Sequence, residues 1–396
     1  MGSITRIAFP LMGGTAWTGG VMYLRNLCDV LLRHPHTRVE PIVVMPVDAP
    51  ATIREAFTSV SSLKLLQAPA RMTSGHYLRW LRAGVVGSDK DFERWCDSEG
   101  IDVVFEAAEY FGRKPRRAVL AWVPDLQHRQ YPEMFGSLAW WKREVGIQAQ
   151  VHSNRLVMLS SRAAEIDFHK YYPGSAGRTV IVRFAVPPAV NATPDPEVVT
   201  RYGLPRRFFY LPNQFWKHKN HIGIVEALAL LRDHTPDIVI AASGNPSDLR
   251  HPGHFENLSR RVAELRLDQM FRVLGMIPYA DVRQLIQLSA AVINPSLVEG
   301  WSTTVEEAKT LGAPLILSSI PVHREQAGDT AMYFDPTDFG NIAEILELAW
   351  HRFQHPGDEA RVRAAVPAAT QRVQAFADAF SAVVNRVRAA AASRAA

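Results

Sequence analysis

Residues 294–308 read NPSLVEGWSTTVEEA and join a predicted strand, 291–295, to a helix that is predicted to begin near Thr303. In an open α/β sheet, ligands bind at the carboxyl ends of the strands, and this loop falls at such an end. The backbone N–H groups from Trp301 to Thr304 lie at a helix N-terminus, where they lack intrahelical partners. Together with the positive end of the helix dipole, they predict a phosphate site.

Two carboxylates accompany this loop. Glu299 precedes the helix and Glu307, eight positions later, lies in its first turns. Carboxylates beside an anion site need compensation, and sugar hydroxyls supply it because they donate hydrogen bonds. Helix capping is the alternative for part of the pattern, since Thr303 with Glu306 and Thr304 with Glu307 each fit a capping box. Capping leaves Glu299 unexplained.

Short β-branched runs alternate with helical periods along the whole chain, which indicates parallel α/β sheets. The predicted strands are 4–11, 39–47, 63–68, 101–107, 118–124, 156–160, 179–184, 208–212, 237–242, 271–276, 291–295, 314–318 and 331–334. A proline-rich segment interrupts the alternation, so two sheets are predicted. The predicted divisions are a first domain 1–188, a linker 189–206, a second domain 207–366 and an Ala-rich terminal helix 367–396 that crosses back to the first domain.

Composition excludes several classes of protein. Among 396 residues, 44 Lys and Arg face 39 Asp and Glu, and the net charge of +5 predicts no nucleic-acid partner. Cys28 and Cys96 form neither a disulfide framework nor a metal-ligand spacing, which fits a reducing compartment. No apolar stretch approaches the roughly 18 residues that span a bilayer. A soluble, cytoplasmic protein is therefore expected.

A basic turn follows the first strand of the second sheet. Residues 211–221 read LPNQFWKHKNH, and Lys217 and Lys219 can neutralise a diphosphate with help from helix N–H groups. A solvated basic loop is the alternative. This turn and the Glu299 loop are expected to open on the same edge of one sheet, which favours a shared ligand.

Two segments of the first sheet also follow strand ends. The glycines of residues 12–20, MGGTAWTGG, allow close approach of a ligand, although they match neither Walker A nor Gly-x-Gly-x-x-Gly. Asp125, His128 and Arg129 follow another strand and suit acceptor binding or proton transfer. A flexible turn and a hydrogen-bonded histidine are the respective structural alternatives.

Together these segments resemble the retaining glycosyltransferases of family 4, whose GT-B architecture has two facing Rossmann-like domains with the active site in the interdomain cleft. Glu299 and Glu307 match the Glu-x7-Glu motif of that family. The other similar residues are Pro295, Ser296 and Ala308 around the motif, Lys219-Asn220-His221, Gly275 and Gly19-Gly20.

The resemblance implies transfer of a sugar, with retention, from a UDP- or GDP-linked donor to an acceptor hydroxyl. It implies that Glu307 holds the ribose, that Glu299 meets the transferred sugar and that Lys219 binds the diphosphate. The implied catalytic residues are Glu299, Lys219, Asp125 and His128, and the implied donor-binding residues are Gly19, Gly20, Asn213, Lys217, Lys219, Gly300, Trp301, Ser302, Thr303, Thr304 and Glu307. The second domain would hold the donor and the first the acceptor. No cofactor and no metal are expected.

The sequence departs from the family pattern at two positions. An arginine usually precedes the lysine, but Asn213 and Gln214 stand there, so Lys217 would supply the second charge. A histidine often precedes the aspartate of the acceptor domain, but here Pro124 does. Either His128 replaces that histidine or its role is absent.

Several alternatives stay open at this point. A nucleotide-sugar epimerase of the same architecture and a non-catalytic partner subunit share these features, whereas a nicotinamide oxidoreductase would need a dinucleotide glycine pattern that is missing. The acceptor of a transferase would be a glycan, a lipid-linked molecule or a small molecule in polysaccharide, glycolipid or other glycoconjugate biosynthesis.

Residues 77–82, YLRWLR, fit either an interfacial or a half-buried helix, so peripheral contact with the inner face of the membrane stays open. The basic cluster 113–117 is interpreted as a surface loop.

Overall fold

A computed structural model describes residues 3–11, 18–68, 87–107, 110–188 and 194–395 of the chain. Most of the Gly-rich loop, residues 12–17, and the segment 77–82 lie outside the described residues. All thirteen predicted strands are present, with ends within a few residues of those predicted. They form two sheets, and every described strand pair is parallel.

The first sheet has seven strands in the order β3-β2-β1-β4-β5-β6-β7. Its strands are β1 (Thr5–Pro10), β2 (Val39–Met45), β3 (Lys64–Gln67), β4 (Val103–Glu106), β5 (Ala118–Trp122), β6 (Leu156–Leu159) and β7 (Thr179–Ile181). The second sheet has six strands in the order β10-β9-β8-β11-β12-β13. Its strands are β8 (Phe209–Leu211), β9 (Ile240–Ser243), β10 (Phe271–Gly275), β11 (Ala291–Asn294), β12 (Leu315–Ser318) and β13 (Ala331–Phe334).

Helices connect the strands. Those of the first half are α1 (Thr18–Arg33), α2 (Ala51–Thr58), α3 (Lys90–Glu99), α4 (Gln127–Gln130), α5 (Ser137–His152) and α6 (Arg162–Tyr171). Those of the second half are α7 (Glu197–Arg201), α8 (His221–Leu231), α9 (His254–Glu264), α10 (Tyr279–Leu288), α11 (Thr303–Thr310), α12 (Pro321–Ala327), α13 (Phe339–Arg352) and α14 (Glu359–Ala395). Side-chain caps fix several starts: Asp89, Ser161 and Asp338 accept N–H bonds from α3, α6 and α13.

Both faces of the second sheet are buried, as parallel sheets require. On β8, Phe209 and Leu211 belong to one hydrophobic cluster and Tyr210 to another, because successive side chains of a strand point to opposite faces. All three side chains are fully buried. Because both faces are covered, the part of this sheet that can contact a ligand is the set of polar loops at the strand ends.

The chain divides into two compact units. The first unit comprises 1–126, 137–185 and 372–396, and the second comprises 127–136 and 186–371. The short segment 127–136, which the predicted divisions placed in the first domain, thus groups with the second. Part of the predicted linker, 189–206, is the helix α7, whose Val198 is buried in a hydrophobic cluster of the second unit.

The terminal helix differs from the prediction. Helix α14 begins at Glu359, eight residues before the expected start at 367, and contains Pro367 within it. Arg361 stabilises its first turns by donating to the carbonyls of Gln287, at 2.5 Å, and Ser289, at 3.2 Å, at the end of α10. The Ala-rich end of the chain is helical to Ala395.

Candidate functional site

The candidate site lies where the second sheet reverses its strand order. Strand β8 pairs with β9 on one side and β11 on the other, so the connections after β8 and β11 diverge and leave a crevice at their carboxyl ends. The basic turn follows β8, and the Glu299 loop follows β11. The expectation that these two loops share one sheet edge is confirmed.

An ion pair joins the two loops. Lys219 Nζ lies 2.5 Å from Glu299 Oε1, and the side chains are only 14% and 9% exposed. Ser296 Oγ donates to the same carboxylate oxygen at 2.8 Å. Lys219 ends a 3-10 turn, and Asn220 adopts a left-handed conformation, φ 54°, before α8 begins. The pair thus places a cation and an anion together inside the crevice.

A buried polar network lies beneath this pair and includes several predicted donor-binding residues. Asn213 donates to Asn294 Oδ1 at 3.1 Å and accepts from Thr304 Oγ1 at 2.9 Å. Asn294 in turn donates to Ser302 Oγ at 2.8 Å. Thr304 therefore binds Asn213 directly, Ser302 joins them through Asn294, and the network fixes the loops.

The start of α11 is capped differently from the predicted capping boxes. Ser302 accepts from the Val305 N–H, so neither Thr303 nor Thr304 is the cap. Gln326 accepts from the Ser302 N–H at 3.1 Å and donates to the Ser302 carbonyl at 2.8 Å. The Ser302 N–H, expected to face a phosphate, is thus already bound within the protein.

The remaining residues of this edge vary in exposure. Gly300 is buried, Trp301 and Thr303 are partly buried, and Lys217 is exposed. The Lys217 N–H donates to Asp248 Oδ2 at 3.2 Å, which fixes the backbone of the basic turn. A Cβ on Gly244, after β9, would lie 2.4 Å from the Asn213 carbonyl oxygen. A glycine at this position therefore allows the backbones of the two loops to approach closely.

The second carboxylate of the motif has an unexpected partner. Tyr279 Oη, at the start of α10, donates to Glu307 Oε1 at 2.7 Å. Burial raises the pKa of Glu307, while the Tyr279 hydroxyl and the charge of Arg283 oppose this rise. Tyr279 lies 28 positions from Glu307, so no local sequence pattern indicates this contact.

Buried histidines surround the ion pair. His323 on α12 is fully buried, and its Nδ1 lies 3.0 Å from Ser318 Oγ. Burial lowers its pKa to about 4, and the Glu299 carboxylate opposes this effect. Burial likewise lowers the pKa of His218 well below its usual range and that of His221 to about 3. These rings are neutral near pH 7 and belong to the supporting layer of the site.

We predict that His323 makes the second unit sensitive to acid. The unfolded chain takes up a proton near pH 6.5, whereas the folded chain does so only near pH 4, so stability falls as pH falls between these values. The expected slope is about 1.4 kcal/mol per pH unit from this residue. Thermal unfolding between pH 7 and 4 should be less pH-dependent in His323→Asn than in wild type. His355→Asn, at an exposed histidine, is the control; parallel curves for His323→Asn and wild type would contradict the prediction.

The predicted site residues of the first half are Asp125, His128, Gly19 and Gly20. Asp125 forms an ion pair with Arg143, whose guanidinium also donates to the Asp125 carbonyl at 3.0 Å. His128, on α4, is fully buried rather than open to an acceptor, and its ring lies 6.3 Å from that of Phe135. Gly19 and Gly20 lie in the first turn of α1, at the carboxyl end of β1, as predicted.

Two features are absent from the part of the chain that the structure describes. Within that part of the chain, no group of three or more His, Cys, Asp or Glu side chains is placed to hold a metal ion. Across the same residues, no helix combines the length and the apolar character needed to cross a membrane.

Sequence reasoning missed three residues that build the site, namely Asn294, Gln326 and Tyr279. Asn294 is fully buried at the end of β11 and Gln326 is 4% exposed on α12. The available signal was their position, since a buried amide at the carboxyl end of a parallel strand needs polar partners.

The fold is that of GT-B glycosyltransferases, as predicted, with two Rossmann-like α/β domains. The chain is similar over 98% of its length to a glycosyltransferase from Rickettsia africae, covering 99% of that chain with a TM-score of 0.70 and 15% identity. It is similar over 96% of its length to HepE from Anabaena, solved in complex with UDP and glucose, covering 99% of that chain with a TM-score of 0.69 and 16% identity.

Sequence comparisons point to the same class over part of the chain. Residues 201–353, which include the candidate site, match the family model "Glycosyl transferases group 1". The chain is 24% identical over 131 residues to the O-antigen chain mannosyltransferase RfbU of Salmonella typhimurium. That alignment covers 33% of this chain and 35% of the relative.

Proposed function

We propose that the chain is a retaining glycosyltransferase that moves a sugar from a nucleotide diphosphate sugar to an acceptor hydroxyl. The observation that carries the proposal is the Lys219–Glu299 pair in the crevice between the loops after β8 and β11. The match of 201–353 to group 1 glycosyltransferases and the structural likeness to HepE with UDP and glucose support it.

The pair matches the two polar parts of such a donor. A diphosphate binds a lysine ammonium, and sugar hydroxyls donate to a carboxylate. On binding, the diphosphate replaces Glu299 as the anionic partner of Lys219, and sugar hydroxyls replace the ammonium as donors to Glu299. Because both side chains are largely buried, neither could lose its partner without such a replacement.

The neighbouring residues complete the donor site in this proposal. Glu307 holds the ribose, and the loop from Gly300 to Thr304 shapes the sugar-phosphate pocket. Asn213, Ser302 and Thr304 act through the network that fixes these loops, and Lys217 adds positive charge at the rim. The donor is UDP- or GDP-linked, and the likeness to an O-antigen mannosyltransferase favours an acceptor in surface polysaccharide or glycolipid synthesis.

The chemistry needs no protein nucleophile. The bond between the sugar C1 and the β-phosphate oxygen breaks while the acceptor oxygen bonds to C1 from the same face. The departing phosphate accepts the proton of the acceptor hydroxyl. Negative charge grows on that phosphate, and a fixed Lys219 stabilises it without a metal ion. A role of Gly19, Gly20, Asp125 and His128 stays a prediction.

Product analysis tests the function. Nucleotide sugars are first screened by thermal shift, because a ligand stabilises the native state by RT ln(1 + [L]/Kd). The selected donor is then incubated with and without candidate acceptors, in the presence of EDTA, and the products are analysed by NMR. A new glycosidic bond with the anomeric configuration of the donor is expected. Sugar conversion without an acceptor would indicate an epimerase, and donor binding without turnover would indicate a non-catalytic subunit.

We predict that Tyr279 orients Glu307 toward the nucleotide. Tyr279→Phe removes one hydrogen bond to the carboxylate and should raise the donor KM by about 3–10-fold, with kcat nearly unchanged. Tyr202→Phe is a matched control, because Tyr202 donates to the Asp281 carboxylate at 2.7 Å in the same unit. A fall in kcat with no change in KM would contradict the assignment.

A further inference from the structure

A cavity of about 930 Å³ lies in the first unit, at the sheet edge opposite the carboxyl ends of its strands. Residues just before β5, β6 and β7 form its floor, and the last third of α14 forms a wall. Ligands of open α/β sheets bind at the carboxyl edge, so this cavity is not a part of that kind of site. Its volume falls in the range of about 300–1,000 Å³ that small-molecule sites occupy.

Cationic side chains dominate the cavity. Four of them form no ion pair with a carboxylate among the described residues, namely Arg113, Lys114, Arg178 and Arg386. Arg178 donates instead to backbone carbonyls, one of them that of Val151 at 2.8 Å. No Asp or Glu is among the described residues that line the cavity. This concentration of charge stands out in a chain whose net charge is only +5.

The other cations of the lining are only partly neutralised. Arg116 and Arg117 share one carboxylate, that of Asp97. Arg155, which is 6% exposed, lies 3.4 Å from Glu106. Two arginines on one carboxylate leave an excess of positive charge, and like charges in a concave site repel unless an anion joins them.

Arg155 supplies an independent observation. Its side chain lines the cavity and is buried, yet its Nε has no hydrogen-bond partner among the described residues. Leaving a buried donor unsatisfied costs about 1–3 kcal/mol. The guanidinium carries five donors in a planar fork whose geometry matches phosphate oxygens. Arg155 thus adds a buried positive charge, with one donor that no described residue satisfies, to the lining of the cavity.

Apolar residues also line the cavity, namely Val387 and Ala390 of α14, together with Val119 and Leu156. A ligand that fits this lining has at least one phosphate group and an uncharged part of modest size. We propose that this cavity binds a phosphate-bearing ligand at a second site, distinct from the Lys219–Glu299 crevice. The proposal does not depend on the function of that crevice.

Calorimetric titration with inorganic tripolyphosphate at about 0.15 M salt tests the proposal, since screening at that salt suppresses weak surface attraction. The test variant is Arg113→Gln/Lys114→Gln/Arg386→Gln, which changes three exposed side chains. Each lost charge-assisted hydrogen bond weakens binding by about tenfold, so a loss of at least about tenfold is expected for the triple variant. Lys219→Met should keep the wild-type affinity at this site.

The control is Arg38→Gln/Arg54→Gln/Lys90→Gln, which removes three exposed cations of the first unit outside the cavity. Equal binding by wild type and the cavity variant would overturn the proposal, as would an equal loss in the control or a complete loss in Lys219→Met.

A second arm identifies the source of the phosphate. Sedimentation with vesicles of phosphatidylcholine, with or without about 30% phosphatidylglycerol, measures binding to lipid headgroups. If the cavity variant loses tripolyphosphate binding alone, the ligand is a free phosphorylated molecule. If it loses vesicle binding, the phosphate belongs to a lipid headgroup. Both results support the phosphate site, and wild-type protein that binds neither probe would contradict it.

Discussion

Lys219→Met is expected to lower kcat by about 10²–10³-fold, because it removes a fixed cation from the point where negative charge develops on the leaving phosphate. Methionine keeps most of the volume of the lysine side chain, so the packing around this largely buried position changes little. The donor KM should change less than kcat, since the ammonium stabilises the leaving group more than the bound diphosphate. Steady-state kinetics with the donor selected by thermal shift measures both constants.

Lys90→Met is the control for this prediction. Lys90 is an exposed lysine at the start of α3 in the first unit, and its replacement should leave both constants within about twofold of wild type. Wild-type kcat in Lys219→Met would remove Lys219 from the mechanism. A folded Lys219→Met protein is verified by its thermal unfolding curve.

Glu299→Ala is expected to lower both activity and stability. The sugar loses an orienting carboxylate, which should reduce kcat by about 10²-fold. Lys219 loses its buried partner, which should cost about 3 kcal/mol of unfolding free energy, because breaking one side of a buried pair leaves an uncompensated charge.

The double variant Lys219→Met/Glu299→Gln separates these effects. It contains no uncompensated charge, and glutamine can still accept from Ser296, so most of the lost stability should return. Its kcat should stay at least about 10²-fold below wild type, because neither the ammonium that faces the leaving phosphate nor the carboxylate that orients the sugar remains. Urea denaturation and kinetics measure the two properties. Recovery of activity together with stability would show that the pair has only a structural role.

The sequence is sufficient to predict the strands and the location of the crevice. Parallel strands buried on both faces appear as nearly continuous apolar runs, such as 208–212 and 291–295, which are easily recognised. Lys219 and Glu299 follow two such runs, and strands that reverse order leave their loops adjacent. The sequence therefore predicts that Lys219 and Glu299 lie close together. It does not predict that they form an ion pair with the two atoms 2.5 Å apart.

The sequence could not show which polar residues face a ligand and which face the protein. Asn213, Ser302 and Thr304 have the composition of donor-binding residues, yet they are bound to Asn294, to Gln326 and to one another. These partners lie up to 91 positions apart, so no local spacing reveals them. The same limit hid Tyr279 as the partner of Glu307.

Local rules also failed where tertiary contacts override them. The terminal helix was predicted to begin at residue 367, where the Ala-rich stretch starts. Helix α14 also includes residues before Pro367, since Arg361 anchors the preceding turns to the carbonyls at the end of α10. His128 was predicted to suit acceptor binding or proton transfer, and the structure buries it fully.

A crystal structure with the nucleotide sugar selected by thermal shift tests the central claim most directly. We predict a diphosphate oxygen about 2.7–2.9 Å from Lys219 Nζ, the typical length of a charge-assisted hydrogen bond, and sugar hydroxyls that donate to Glu299. A structure in which Lys219 and Glu299 stay paired while the nucleotide binds at another place on the protein would contradict the account.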